Sequence, residues 1–216
     1  MIYQRFYRGI CDYEDPNKPL DCAWLMEIFE QSGLQSAWVR NGRPGKLTID
    51  MHTLQRHVTD IANLPHSPFV SLSAGTRIWA DDGLGTKPVF PAWFTAVCFA
   101  TGYGHHPGWV FCGYVGVAGK PALGMVDYCE EVRDLNQFGW MNPHHTEGEL
   151  AAKVSVRPSQ IEGAYRVEVE ALLAIFGGAT WPELSPGIED QLGQFGFHKN
   201  PYHCDPRQHN SVRDWM

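Results

Sequence analysis

The chain has 216 residues, 44% of them hydrophobic and 12% aromatic, enough for one well-cored domain or one domain with an extension. A formal net charge of −7 without any clustered basic run withholds the electrostatic footprint of a general nucleic-acid binder. No apolar stretch reaches the roughly 18 residues that a membrane-spanning helix needs, and Met1-Ile2-Tyr3-Gln4-Arg5 lacks the apolar core of a signal peptide.

Residues 2–10 read as a short strand. Residues 21–31 carry apolar side chains at helical spacing behind Asp21, a ready N-cap, and Gly33 stops them. Asn41-Gly42-Arg43-Pro44-Gly45 is a turn. Residues 48–63 predict a second amphipathic helix and residues 68–74 a strand. After the loop Asp81-Asp82-Gly83-Leu84-Gly85, Pro91 opens a third helix over residues 92–101 from a first-turn position. Residues 109–117 form a nearly continuous apolar run, the mark of a central buried strand, and residues 163–172 predict another strand. Strands separated by long, non-repeating segments with few helices indicate the α+β class. Beyond Phe176 the composition turns to Gly, Pro and His, which divides the chain into a catalytic-domain-sized unit, 1–176, and a C-terminal extension, 177–216, expected to pack on the core.

The six cysteines form no Cys-x-x-Cys. Cys98 and Cys112 lie in apolar runs and read as core thiols; Cys11 and Cys22 read as free thiols that an oxidising compartment alone would bridge. His198, His203, Cys204 and His209 are zinc-ligand types, but their spacing fits no common site, so no metal is expected. Asp81-Asp82-Gly83 is only a fragment of a calcium loop, and Gly83-Leu84-Gly85 reads as a plain turn.

The segment Asn142-Pro143-His144-His145-Thr146-Glu147-Gly148-Glu149 sets two carboxylates two residues apart, just before a strand-like run. Positions i and i+2 of extended chain point the same way, so both acids can face one pocket. Such a pair can divide labour, one carboxylate facing charge at a reacting carbon and the other handling a proton. On its own a close pair of Glu is more often a solvated turn. Here the following residues add information: Pro158-Ser159-Gln160-Ile161, then Gly163, then Tyr165-Arg166-Val167.

This segment resembles the catalytic loop of the mono-ADP-ribosyltransferases of the cholera-toxin and heat-labile-enterotoxin type, the Arg–Ser–Glu class. In that family a Pro-His element precedes Glu-x-Glu, and Ser-Gln-Ile, Gly and Tyr-Arg-Val follow at fixed distances. The interval from Glu149 to Ile161 matches without a gap. Two further family elements occur in the family's order: Phe6-Tyr7-Arg8-Gly9 near the start, and Phe69-Val70-Ser71-Leu72-Ser73, where Leu72 stands in place of the usual Thr. The resemblance covers motif segments within residues 3–169, and the stretches between them look unlike the toxins.

The resemblance implies an ADP-ribosyltransferase-like core of two packed, mainly antiparallel sheets with flanking helices. It implies NAD as a consumed substrate and no metal. Glu149 would face the cationic ribose and Glu147 the incoming nucleophile; Arg8 would clamp phosphate or ribose, and Ser71, with Ser73, would position Glu149. The Glu-x-Glu form points to a protein arginine as acceptor, ahead of a nucleic acid. The biological role implied is a secreted toxin or effector domain acting in a target-cell cytoplasm without inserting in the membrane, with a neutralising or activating protein as a further partner. Three alternatives stay open at this stage: an NAD glycohydrolase using the same residues, a catalytically silent binding module of the same fold, and an unrelated glycosidase built on the Glu pair.

Overall fold

A computed structural model describes residues 2–12, 20–74, 92–118, 121–132, 148–171 and 192–205. Its first strand, β1 (Ile2–Cys11), runs antiparallel to β4 (Gly108–Val117) through ten consecutive pairs, from Ile2↔Val117 to Cys11↔Gly108. Around that spine stand β3 (Phe69–Ala74), β5 (Glu130–Glu131), β6 (Glu149–Lys153), β8 (Ile161–Val167) and β9 (Gly196–Lys199), in the order β5-β6-β3-β1-β4-β8-β9. Every neighbouring pair in this seven-stranded sheet is antiparallel. A second sheet pairs β2 (Leu34–Gln35) with β7 (Ser155–Val156) and packs Leu34 and Val156 into the core beneath the first. The chain is therefore α+β, built on antiparallel sheets.

Side-chain alternation along β1 sorts the two faces. Phe6 enters a core with Leu72, Trp109, Phe111 and Leu150. Tyr7 enters another with Trp93, Val97, Val110 and Val167. Helix α1 (Cys22–Glu27) lies on the first face, with Asp21 capping it by accepting from the Trp24 amide at 2.9 Å. It continues as a π-helical turn over Ile28–Ser32, and Trp24 and Phe29 meet Phe111 edge-on at 5.8 and 6.4 Å. Helix α2 (Ala37–Arg40) is a single turn capped by Ser36. Helix α4 (Ala92–Ala100) covers the second face and crosses β1 at Gly9, where a Cβ would come within 1.9 Å of the Ala96 carbonyl oxygen. The glycine after Arg8 is thus a requirement of helix-on-strand contact.

Helix α3 (Met51–Thr59) starts in a reciprocal capping box between Asp50 and Thr53 and buries Leu54, His57 and Val58. The sequence predicts this helix to residue 63. It stops at Thr59 because Asp60 is extended, and the chain re-forms as a 3-10 segment, Ile61–His66, that accommodates Pro65. The strand expected over residues 163–172 likewise ends at Val167, and residues 169–171 turn helical. Val-Glu-Val-Glu-Ala-Leu-Leu supports either period, and the sequence alone favoured the wrong one at its end. Between β6 and β7, Val154 adopts φ 67°, a left-handed conformation rare for a β-branched residue, and there the chain leaves the large sheet for the small one. No helix among the described residues is long and apolar enough to cross a membrane. The expected boundary at residues 176 and 177 lies outside the described residues; within 192–205, β9 pairs with β8, and Leu192 and Phe195 join the core under α4.

Candidate active site

The register of three strands builds the site. Tyr7 on β1 pairs with Ser73 on β3, and Ser73 pairs with Glu149 on β6, so these three side chains form a row on one face. Glu149 opens its strand directly after Gly148, whose φ of 65° suits glycine and whose carbonyl accepts from the Ala74 amide at 2.8 Å. That bond fixes the height at which the carboxylate enters the sheet. β1 and β3 share only the pairs Phe6↔Ala74 and Tyr7↔Ser73. Arg8 falls just beyond the last pair and donates from its guanidinium to the Ser71 carbonyl at 3.2 Å, bridging the two strands where they part.

Behind this row, α3 supplies His57. Its Nε2 lies 3.0 Å from Glu149 Oε1 and 3.0 Å from Ser71 Oγ, and its Nδ1 lies 2.7 Å from Ser67 Oγ. The His57 ring tilts against Phe69 at 5.3 Å. His57 is 5% exposed, Ser67 1% and Glu149 8%, so the carboxylate–imidazole pair works in a medium of low dielectric, where each hydrogen bond counts for more than in water. One edge of Glu149 is thus gripped from inside the protein.

Ser71, Ser73 and Glu149 share one face of the sheet, while Arg8, one residue on from Tyr7, reaches this region through the Ser71 backbone carbonyl. Ser71 Oγ approaches the same His57 nitrogen that meets Glu149. Glu147, with His144 and His145, lies outside the described residues. His57 was not singled out by sequence reasoning. The signal for it is a histidine three positions after Leu54 on the apolar side of an amphipathic helix, a pattern more often met as ordinary core.

Arg166 of the Tyr-Arg-Val element is engaged elsewhere. It clamps Asp12 with two bonds of 3.0 and 2.9 Å, reaches Glu168 at 2.7 Å and stacks over Trp109 at 5.3 Å. Burial works against its charge, but Asp12 and Glu168 outweigh it and hold the guanidinium above its ordinary value. This arrangement ties β1 to β8. Cys112 and Cys129 are buried, and burial pushes each thiol up to about 12. Cys11 is buried and Cys22 exposed, and no disulfide joins them. His198 packs edge-on against Trp109, His203 Nδ1 meets the Ser159 carbonyl, and among the described residues no three His, Cys, Asp or Glu side chains gather as a metal site. His209, Pro91 and the loop from Asp81 to Gly85 lie outside the described residues.

The far end of β6 holds a second buried charge. Lys153 Nζ meets Glu130 Oε1 at 2.7 Å and donates to the carbonyls of Ala122 and Met125 at 2.6 and 2.9 Å. A cavity of about 190 Å³ lies beside it, bordered by Val115, Cys129, Ala152, Arg157 and Gln160.

No family model matches the sequence, and no curated protein matches it. Solved structures similar to it include an arginine-to-lysine variant of heat-labile enterotoxin with great flexibility of an active-site loop (14% identity, TM-score 0.46, covering 96% of this chain and 79% of that one). A second is an Escherichia coli heat-labile enterotoxin variant (16% identity, TM-score 0.46, 96% and 80% covered). A third is a guanine-specific ADP-ribosyltransferase (15% identity, TM-score 0.42, 94% and 82% covered).

Proposed function

We propose that the chain is a mono-ADP-ribosyltransferase that cleaves NAD between ribose and nicotinamide and passes ADP-ribose to a macromolecule, a protein arginine above all. The observation that carries this reading is a run of contacts where β1 and β3 part: Arg8 donates to the Ser71 carbonyl, and the Ser71 hydroxyl and Glu149 share His57 Nε2, each at 3.0 Å. Arg8, Ser71 and Glu149 are the three residues that the motif resemblance picks out, in three separate segments of chain.

In the proposed reaction the bond from the anomeric carbon to the pyridinium nitrogen breaks, and its electron pair leaves with nicotinamide as a neutral base. The anomeric carbon takes on oxocarbenium character. A carboxylate held in place beneath that charge lowers the barrier, and Glu149 has that role. The acceptor nitrogen then forms the new bond and loses its proton to a nearby base, assigned to Glu147. Arg8 faces diphosphate or ribose, since a guanidinium matches phosphate oxygens. Ser71 and Ser73 act on Glu149, Ser71 by way of His57. Delivery as a toxin or effector, with action inside a target cell, belongs to the same proposal.

The test is nicotinamide release from NAD by purified protein, with and without cell lysate, beside Glu149→Ala. NAD labelled on its adenine ribose reports transfer in the same tubes. Release that vanishes in the variant, with label on a lysate protein, is the expected result. Release without label on any macromolecule identifies an NAD glycohydrolase instead. Absence of release from folded wild-type protein under every condition sinks the donor assignment.

A further inference from the structure

We propose that Ser67 is a positioning residue that fixes the tautomer of His57, so that the imidazole presents Nε2–H to Glu149. Its bearing on catalysis rests on the transferase reading above; its chemistry does not.

The argument is an accounting of protons. The Ser67 hydroxyl oxygen accepts from the Phe69 amide at 3.1 Å and lies 2.7 Å from His57 Nδ1. Ser67 is 1% exposed, and among the described residues its hydroxyl hydrogen has one acceptor in reach, the Nδ1 lone pair. If Nδ1 carried the proton, that hydroxyl hydrogen would be buried without an acceptor, and the Nε2 lone pair would face the carboxylate oxygen 3.0 Å away. Both penalties vanish when the proton sits on Nε2. A directional chain results, from Phe69 N–H to Ser67 Oγ–H to Nδ1, and from Nε2–H to Glu149 Oε1. Ser71, partly exposed, takes part at Nε2 and can turn its hydrogen to solvent.

Ser67 is built to hold this orientation. Its carbonyl accepts from the Trp38 amide at 3.0 Å, and its own amide donates to the Leu64 carbonyl at 3.1 Å. Pro68 keeps the preceding residue extended, and Ser67 indeed has φ −65° and ψ 132°. Proline has no N–H to compete, so the amide two residues on, that of Phe69, engages the hydroxyl oxygen and leaves the hydrogen to point at the ring. Ser67 stands outside the Ser-Leu-Ser element, two residues before the strand.

Nitrogen-15 spectroscopy of histidine-labelled protein tests this, with the His57 signals assigned by their loss in His57→Gln and read at a pH where the ring is neutral by its own titration. Wild type is expected to show a single form protonated at Nε2, with Nδ1 shifted by an accepted hydrogen bond. A ring protonated at Nδ1 overturns the proposal. Glu149→Ala removes the carboxylate's own pull on the proton and leaves Ser67 to decide. That variant should keep Nε2–H, and adding Ser67→Ala should move the tautomer ratio about tenfold toward Nδ1–H. Identical spectra for the single and double variants overturn the proposal. If the double variant does not fold, Glu149→Ala with Ser67→Cys, a weaker donor of similar volume, takes its place with the same criterion. In turnover, Ser67→Ala should lower kcat about tenfold with KM unchanged, and Ser67→Thr should restore it. A wild-type Nε2–H form in a protein that never cleaves NAD leaves the Ser67 assignment standing and removes only the transferase.

Discussion

The two ends of β6, Glu149 and Lys153, each bury a charge and treat it differently. At Lys153 the ammonium has three hydrogens and meets three acceptors, Glu130 and the carbonyls of Ala122 and Met125, with the side chain fully buried. Glu130 in turn accepts from the Ala122 amide at 2.9 Å. Such a site is saturated, and its work is to pin the 121–132 connection against the strand. At Glu149 a neighbouring group is the His57 imidazole, whose Nε2 lies 3.0 Å from the carboxylate. The carboxylate sits at the strand's mouth, where β1 and β3 separate. The comparison teaches that burial of a charge alone does not identify a site. What differs is the partner: an ammonium that donates to three acceptors at one end, an imidazole at the other.

Breaking each end should therefore give opposite results. Lys153→Met leaves Glu130 buried without its counter-ion and should cost about 3–5 kcal/mol of stability, read as a fall in the urea midpoint. Glu149→Gln keeps the shape and an oxygen for His57, so its stability loss should stay within about 1 kcal/mol. Its nicotinamide release should nevertheless fall by about 10²–10³-fold, roughly 3–4 kcal/mol of transition-state stabilisation. If Lys153→Met spares stability, or if Glu149→Gln costs as much as about 3–5 kcal/mol, the two ends do not differ in this way.

Removing both members of the closed pair sharpens the point. Glu130→Met with Lys153→Met should recover part of the single variant's loss, to within about 2 kcal/mol of wild type, because no lone charge remains buried. The backbone groups of Ala122 and Met125 that lose partners keep the recovery incomplete.

The smallest effect concerns the helix that delivers His57. Asp50 caps α3, and its bond from the Thr53 amide holds its carboxyl below the ordinary value. A depressed folded value means the contribution is present above the carboxylate's unfolded pKa of about 3.9 and is lost as pH falls through the folded value. Protection of the Thr53 amide against exchange, relative to its intrinsic rate at each pH, should fall on acidification through that window, and in Asp50→Ala it should be low already at neutral pH. Exchange that is the same in both proteins at neutral pH would show that the cap does not hold this turn.

Much of the architecture is legible from local chemistry. Asp21 caps α1 and accepts the Trp24 amide as its position before the apolar helical run suggests. The apolar run at 109–117 is the central strand β4, with all but one of its residues buried. Motif residues such as Arg8, Ser71 and Glu149 stand out because a family pattern fixes their identities and spacing within short segments. Strands of two to four residues escape notice: β2, β5 and β7 are too short to show a period, and β9, exposed along its length, gains its conformation from pairing with β8.

The sequence by itself determined the chemical types available and the local elements that carry them, since caps, periodicity and turn residues act over a few positions. Only the tertiary structure decided which groups meet. Antiparallel register across β1, β3 and β6 sets Tyr7, Ser73 and Glu149 in one row, and the packing of α3 on that sheet inserts His57 and, behind it, Ser67. His57 and Glu149 are 92 positions apart, and no local rule connects them. Their meeting follows from long-range strand pairing and the burial of one helix face, which act on the whole chain at once.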